Sequence, residues 1–182
     1  MLFSIVPYQL QLASMLASLW LGARNLAMIV LFPGTVVVYI PYWLIAPVNL
    51  RSPVVWSISQ YLGAIFVLLG TGILLSCVWS FAHHGRGTLA PFDETRKLVM
   101  VGLYKYVRNP MYVGIIVILL GECMFFWSNP LLIYSVIMFT LFNLRIIGYE
   151  ENRLLDKYGD EYRQYCTSVG RWLPGKPYQV AR

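Results

Sequence analysis

The residues most capable of chemistry are the run Arg108-Asn109-Pro110-Met111-Tyr112 and the acidic pair Glu150-Glu151. Asparagine is a favoured helix N-cap and proline is favoured at the first helical position, so a helix should begin at Asn109-Pro110. The first N–H groups of a helix lack partners and carry the positive end of its dipole, an arrangement that suits a carboxylate. Arg108 adds a permanent cation beside them. Boundary chemistry at a membrane surface (a cap, a snorkelling arginine, an interfacial tyrosine) would account for the same residues taken alone. Glu150-Glu151 follows Arg145 and reads either as a ligand for the same site or as acids balancing Arg145 and Arg153.

Three further features compete for attention. His83-His84-Gly85-Arg86-Gly87-Thr88-Leu89-Ala90-Pro91 is rich in glycine and ends in a rigid proline. Adjacent histidines project about 100° apart on a helix, poor geometry for sharing a metal ion, so no metal site is expected. Glu122 falls inside an apolar run, where an ionisable residue is a functional candidate by default. Its plain alternative is a polar contact with a neighbouring helix. Cys77, Cys123 and Cys166 form no CxxC pair, and the first two sit in apolar runs as small hydrophobes.

The elements that must position these residues are membrane helices. Of 182 residues, 58% are hydrophobic and 12% charged, and mean hydropathy is +0.62. A soluble chain of this size has too much surface to cover with so few charges. Disorder is excluded by the same abundance of apolar residues. No cleavable signal peptide is expected, because no basic n-region precedes the first apolar stretch.

A helical span needs about 20 apolar residues, about 17 at the short end. Four stretches are read as spans: residues 26–45, kinked at Pro33, Gly34 and Pro41; Ile58–Phe81; Tyr112–Trp127; and Leu131–Ile147. Ser128-Asn129-Pro130 is a turn signal that makes the last two a tight helical hairpin. Tyr8–Leu21 reads as an interfacial amphipathic helix or a marginal fifth span.

Of the 14 Lys and Arg residues, only Arg24 and Arg51 precede residue 86. The rest fall between the second and third spans or at and after the end of the fourth. By the positive-inside rule both regions are cytoplasmic. The net charge of +6 is therefore a topology signal and not a nucleic-acid patch. Hairpin geometry sets Asn109 level with Glu150, so helix N-terminus, Arg108, Tyr112 and a carboxylate should converge at the cytoplasmic membrane surface. The expected architecture is all-α and polytopic, with membrane helices in 1–82 and the functional region in 83–182, in one structural domain. No internal repeat is visible, which disfavours a transporter built from repeated halves.

Taken in order, Leu98-Val99-x-x-Gly102-x-Tyr104-x-x-x-Arg108-Asn109-Pro110-Met111-Tyr112, Glu150-Glu151, Tyr158-Gly159-x-x-Tyr162-x-x-Tyr165 and Arg171-x-x-Pro174 resemble the isoprenylcysteine carboxyl methyltransferase and phospholipid methyltransferase superfamily. Gly87-Thr88-Leu89-Ala90-Pro91 resembles its bacterial members. The match covers about residues 85–174. It implies an integral membrane enzyme, in a bacterial-type plasma membrane, that binds S-adenosylmethionine in a cytosol-facing pocket. The methyl acceptor would be a lipophilic molecule arriving from the membrane lipids, such as a prenylcysteine carboxylate.

The resemblance places cofactor-binding roles on Arg96, Lys97, Leu98, Val99, Gly102, Tyr104, Asn109, Pro110, Met111, Tyr112 and Glu150. Arg108, Asn109 and Glu150 are expected to be catalytic, and the resemblance puts Arg145 on the acceptor side, where the membrane depth of Glu122 also places that residue. Many members carry histidine where this chain has Asn109. An amide donates hydrogen bonds but is no base near neutral pH. Methyl transfer from a sulfonium needs chiefly positioning, worth about 7–11 kcal/mol. The tail helix, with Leu154, Leu155, Tyr158, Tyr162 and Tyr165 near helical spacing, is expected to fold back as a lid. Competing readings are a small transporter using Glu122 as its coupling carboxylate, a non-catalytic scaffold, and a distant sterol-reductase-like protein binding a nicotinamide cofactor.

Overall fold

The structure is a computed structural model that describes residues 12, 16, 31–45, 56–84 and 100–178. Its elements are α1 (Leu31–Ile45), α2 (Ile58–His84), a 3₁₀ turn (Gly102–Lys105), α3 (Pro110–Phe126), α4 (Asn129–Arg145) and α5 (Glu151–Ser168). A π-helical turn, Ile146–Glu150, joins α4 to α5 without a break. Among the described residues no strand forms, and one isolated bridge pairs Val107 with Gly170. The all-helical expectation holds there. Of Tyr8–Leu21, only Leu12 and Leu16 are described, both helical and exposed; the Gly85–Val99 connection lies outside the described residues.

Two helical stretches are long and apolar enough to cross a membrane, Ile58–Ser80 and Asn129–Ser168. Only 17% and 22% of their most apolar windows are buried inside the molecule. Among the described residues most of these two apolar surfaces has no protein against it, as expected of helices in a membrane. Helices α1 and α3 are shorter apolar helices.

Within α1 a π turn runs over Thr35–Tyr39, just before Pro41. Ile40 N–H donates to Thr35 O; continuing that pattern would require a donor from Pro41, which has none. The freed Val36 carbonyl is met instead by the Tyr134 hydroxyl of α4 at 3.0 Å. Neighbouring side chains commonly re-satisfy a backbone group released by proline at membrane depth.

Glycines set how closely α2 meets α3. A Cβ at Gly63 would stand 2.6 Å from the Gly121 carbonyl, and one at Gly70 would stand 2.7 Å from the Gly114 carbonyl. The backbones touch at two levels because no side chain intervenes. The α3–α4 turn forms where Ser128-Asn129-Pro130 predicts it: Trp127 adopts a left-handed conformation and the Ser128 hydroxyl caps α4 through Leu131 N–H. One core cluster joins Val36, Val37, Tyr112, Ile115, Ile118, Leu119, Phe142 and Ile146. A second gathers Met100, Tyr162, Tyr165 and Val169 around α5.

Candidate functional site

Helix α3 begins and α4 ends at the same end of the bundle, as the hairpin arithmetic requires. Asn109 stands at the N-cap position and Pro110 at the first helical position, but the Asn109 side chain caps nothing. Its amide donates instead to the Arg171 carbonyl at 3.4 Å. The first N–H groups of α3 thus keep their positive end free of a side-chain cap.

The two glutamates serve different partners. Glu150 Oε1 accepts from the Tyr112 hydroxyl at 2.5 Å and from Arg145 Nε at 2.8 Å. Residues five apart on an α-helix point about 140° away from each other. The π turn removes that divergence and brings Arg145 and Glu150 together. The Tyr112 ring lies 4.6 Å from that of Phe142, which fixes its direction.

Glu151 faces the other way and lies between two arginines. Arg171 grips it as a fork, Nε to Oε1 and Nη2 to Oε2, both at 2.8 Å. Arg108 Nη1 reaches Oε1 at 3.0 Å and Cys166 Sγ at 3.0 Å. The Arg108 side chain is 15% exposed and its Nε is buried with no hydrogen-bond partner among the described residues. Two guanidinium groups against one carboxylate leave one positive charge over.

The segment after α5 completes this end. Arg108 N–H donates to Gly170 O at 2.9 Å, Gly175 N–H to Tyr106 O at 2.8 Å and Tyr178 N–H to Lys105 O at 3.0 Å. Trp172 donates to Asn143 Oδ1 at 3.1 Å and stacks on Phe139. Tyr165 donates to the Tyr104 carbonyl at 2.5 Å. Burial raises the phenols of Tyr162 and Tyr165, and the hydrogen bond to Glu151 raises the Arg171 guanidinium.

Of the residues singled out by sequence, Arg108, Asn109, Pro110, Met111, Tyr112, Arg145 and Glu150 come together here. Gly102 has φ +59 and rests against Ser80 of α2, and Tyr104 is wedged between Cys77 and Tyr165. Arg96, Lys97, Leu98 and Val99 lie outside the described residues. Glu122 is not brought in: it sits near the far end of α3, beside the Cys123–Ser135 contact, its Oε2 buried and unpartnered. Glu151 and Arg171 stand in the sequence motifs, but sequence reasoning gave a site role to Glu150 alone. The Arg171-x-x-Pro174 motif was visible, but which glutamate Arg171 meets depends on the π turn.

A family model described as phospholipid methyltransferase matches residues 58–161. A methanethiol S-methyltransferase of Pseudomonas deceptionensis is 30% identical over 157 residues, 78% of this chain and 56% of that protein. A probable protein-S-isoprenylcysteine O-methyltransferase of Oryza sativa subsp. indica is 30% identical over 125 residues, 65% of this chain and 62% of that protein. A protein-S-isoprenylcysteine O-methyltransferase of Schizosaccharomyces pombe is 30% identical over 125 residues, 66% of this chain and 51% of that protein. The chain thus spans between 51% and 62% of the length of these curated relatives. No solved structure matches it.

Proposed function

The chain belongs to the phospholipid methyltransferase family, and from that premise we propose that it methylates a lipophilic acceptor with S-adenosylmethionine as donor. The observation that carries this reading is Arg108, a nearly buried guanidinium with an orphan Nε–H beside the uncapped start of α3. A buried donor without a partner costs about 1–3 kcal/mol unless a ligand supplies the acceptor. The donor's amino-acid end fits on both counts. Its carboxylate matches Arg108 and the N–H groups of Met111 and Tyr112; its ammonium or ribose matches Glu150.

When bound, the sulfonium brings a methyl group whose C–S bond breaks as the acceptor's lone pair forms the new bond and a neutral thioether leaves. The chain's own task is placement. Tyr112 and Arg145 fix the Glu150 carboxylate, and Arg108 fixes the anion. Asn109 is an amide whose donor is turned to the tail, so it holds the tail in place and abstracts no proton.

The acceptor we favour reaches the site from the bilayer, as a prenylcysteine carboxylate or another lipid would. In this reading α1 to α4 are four spans of a plasma-membrane protein and the α3 start faces the cytoplasm, supported by the basic residues at that end. Residues 1–82 supply membrane helices and 83–182 the donor site. Calorimetric titration of detergent-solubilised protein with S-adenosylhomocysteine tests the reading. Micromolar binding that falls tenfold or more in Arg108→Ala is expected; wild-type affinity in correctly inserted Arg108→Ala overturns the role of Arg108.

A further inference from the structure

We propose that Glu151 and Arg171 are positioning residues that hold Arg108 in its anion-binding orientation, so that the segment after α5 is part of the donor site. This rests on the reading that Arg108 holds the donor's carboxylate.

The contacts of Arg108 carry the argument. Its side chain is held by Glu151 at the start of α5 and Cys166 near its end, and its backbone N–H by Gly170 just beyond. Those hydrogen bonds all come from the C-terminal segment and none from the helix that Arg108 precedes. Glu151 could not point both oxygens usefully by itself, because a carboxylate on a flexible stem swings. Arg171 removes that freedom with two parallel bonds of 2.8 Å, a geometry that only a guanidinium supplies to a carboxylate.

Arg171 is itself fixed: its carbonyl accepts from Asn109, and the next residue, Trp172, bonds Asn143 and stacks on Phe139. A chain of contacts therefore runs from α4 through the tail to Arg171, Glu151 and Arg108. With Nη1 engaged, the buried Nε remains a donor with no partner among the described residues. Release of Glu151 would let Arg108 turn toward solvent and lose that aim.

Two probes separate positioning from general support. S-adenosylhomocysteine carries the amino-acid carboxylate; 5′-methylthioadenosine keeps the nucleoside and the thioether but lacks it. In detergent-solubilised wild type the ratio of their dissociation constants reports the amino-acid end, ammonium and carboxylate together, and the part of it lost in Arg108→Ala reports the carboxylate contact. Glu151→Gln and Arg171→Gln should each weaken S-adenosylhomocysteine about tenfold, the scale of one charged hydrogen bond, and leave 5′-methylthioadenosine unchanged. In an Arg108→Ala background neither substitution should change the ratio further, because their effect passes through Arg108.

If Arg108→Ala lowers the discrimination while Glu151→Gln and Arg171→Gln retain it in full, the positioning role falls and the carboxylate contact stands. If Arg108→Ala leaves the discrimination intact, the carboxylate contact falls and this proposal with it. Equal weakening of both probes would mean plain structural support, and also overturns it. Should Arg171→Gln fail to fold, Arg171→Lys carries the test, since it keeps the charge and gives up the fork. Intermediate discrimination supports the role; full discrimination overturns it.

Discussion

Glu151 and Cys166 contact the same nitrogen of Arg108, each at 3.0 Å, although they lie near opposite ends of one helical stretch. A straight helix would hold them about 22 Å apart. The stretch therefore folds back on itself, and the bend is Gly159, with φ 53 and ψ −123. An L side chain rarely adopts that conformation, and glycine does so freely. The tail helix read from the tyrosine spacing is thus a hairpin of two short arms, which holds Arg108 from both ends.

Gly159→Ala should strain this bend by about 1–3 kcal/mol, although its Cβ would meet nothing. Faster proteolysis beyond residue 159 and weaker S-adenosylhomocysteine binding are expected together. Gly148→Ala, also in open space but without a positive φ, should change neither. Matching behaviour of the two variants would remove the bend from the account.

Gly70→Ala places a methyl group 2.7 Å from a backbone carbonyl of α3, whereas Gly72→Ala meets nothing. Overpacking of this kind costs about 1–3 kcal/mol. The first should lower the melting temperature of the detergent-solubilised protein and the second should not. A shared melting temperature would show that α2 and α3 can move apart without cost.

Tyr134→Phe leaves the Val36 carbonyl without its donor, at a cost of about 0.6–1.7 kcal/mol for a hydrogen bond between membrane helices. Adding Pro41→Ala restores an N–H within α1. The double variant should then lose less stability than the two single losses combined. Strict additivity in thermal unfolding would uncouple Tyr134 from the proline.

Burial raises the Tyr162 and Tyr165 phenols above their ordinary value. The folded tail therefore prefers them protonated. That stability is complete below the unfolded value of about 10 and is lost as pH rises above it. Protease resistance of the tail should decline above that pH. Tyr165→Phe, which gives up the bond to Tyr104, should lower resistance at neutral pH and flatten the alkaline decline. An unchanged alkaline profile in Tyr165→Phe would point elsewhere.

A cysteine introduced at Asp160, on the exposed bend of α5, should resist an impermeant thiol reagent applied outside intact cells and react after lysis. Labelling from outside would reverse the orientation and detach the donor site from the cytoplasmic donor pool.

Much of this was legible in residue types. Asn109-Pro110 marks the start of α3, and Ser128-Asn129-Pro130 marks the turn, because N-caps and prolines act locally. The convergence of Tyr112 and Glu150 followed from equal counts on two antiparallel helices. What stayed hidden were the two π turns. A register slip inside a helix leaves no composition signature, yet it decides that Glu150 meets Arg145 and Glu151 meets Arg171. Asn109 likewise has the residue type of a cap, but its Nδ2 donates to the tail carbonyl of Arg171 and its oxygen accepts from no N–H of α3. Glu122 drew notice for its charge and lies apart from the site, since depth along α3 separates it from Arg108.

The bond from Asn109 to Arg171 closes a loop of 62 residues. The bond from Tyr134 to Val36 inside the bundle closes a longer one, of 98 residues, so loop entropy does not order the two; order of synthesis does, because the tail leaves the ribosome after every helix of the bundle. The helical bundle can therefore be complete as a membrane object before its anion-binding end exists. Binding competence is then the last property the chain acquires during folding. A ligand that recognises only the finished end stabilises it by mass action. It would draw the final segment into place and leave the order in which the earlier helices assemble untouched.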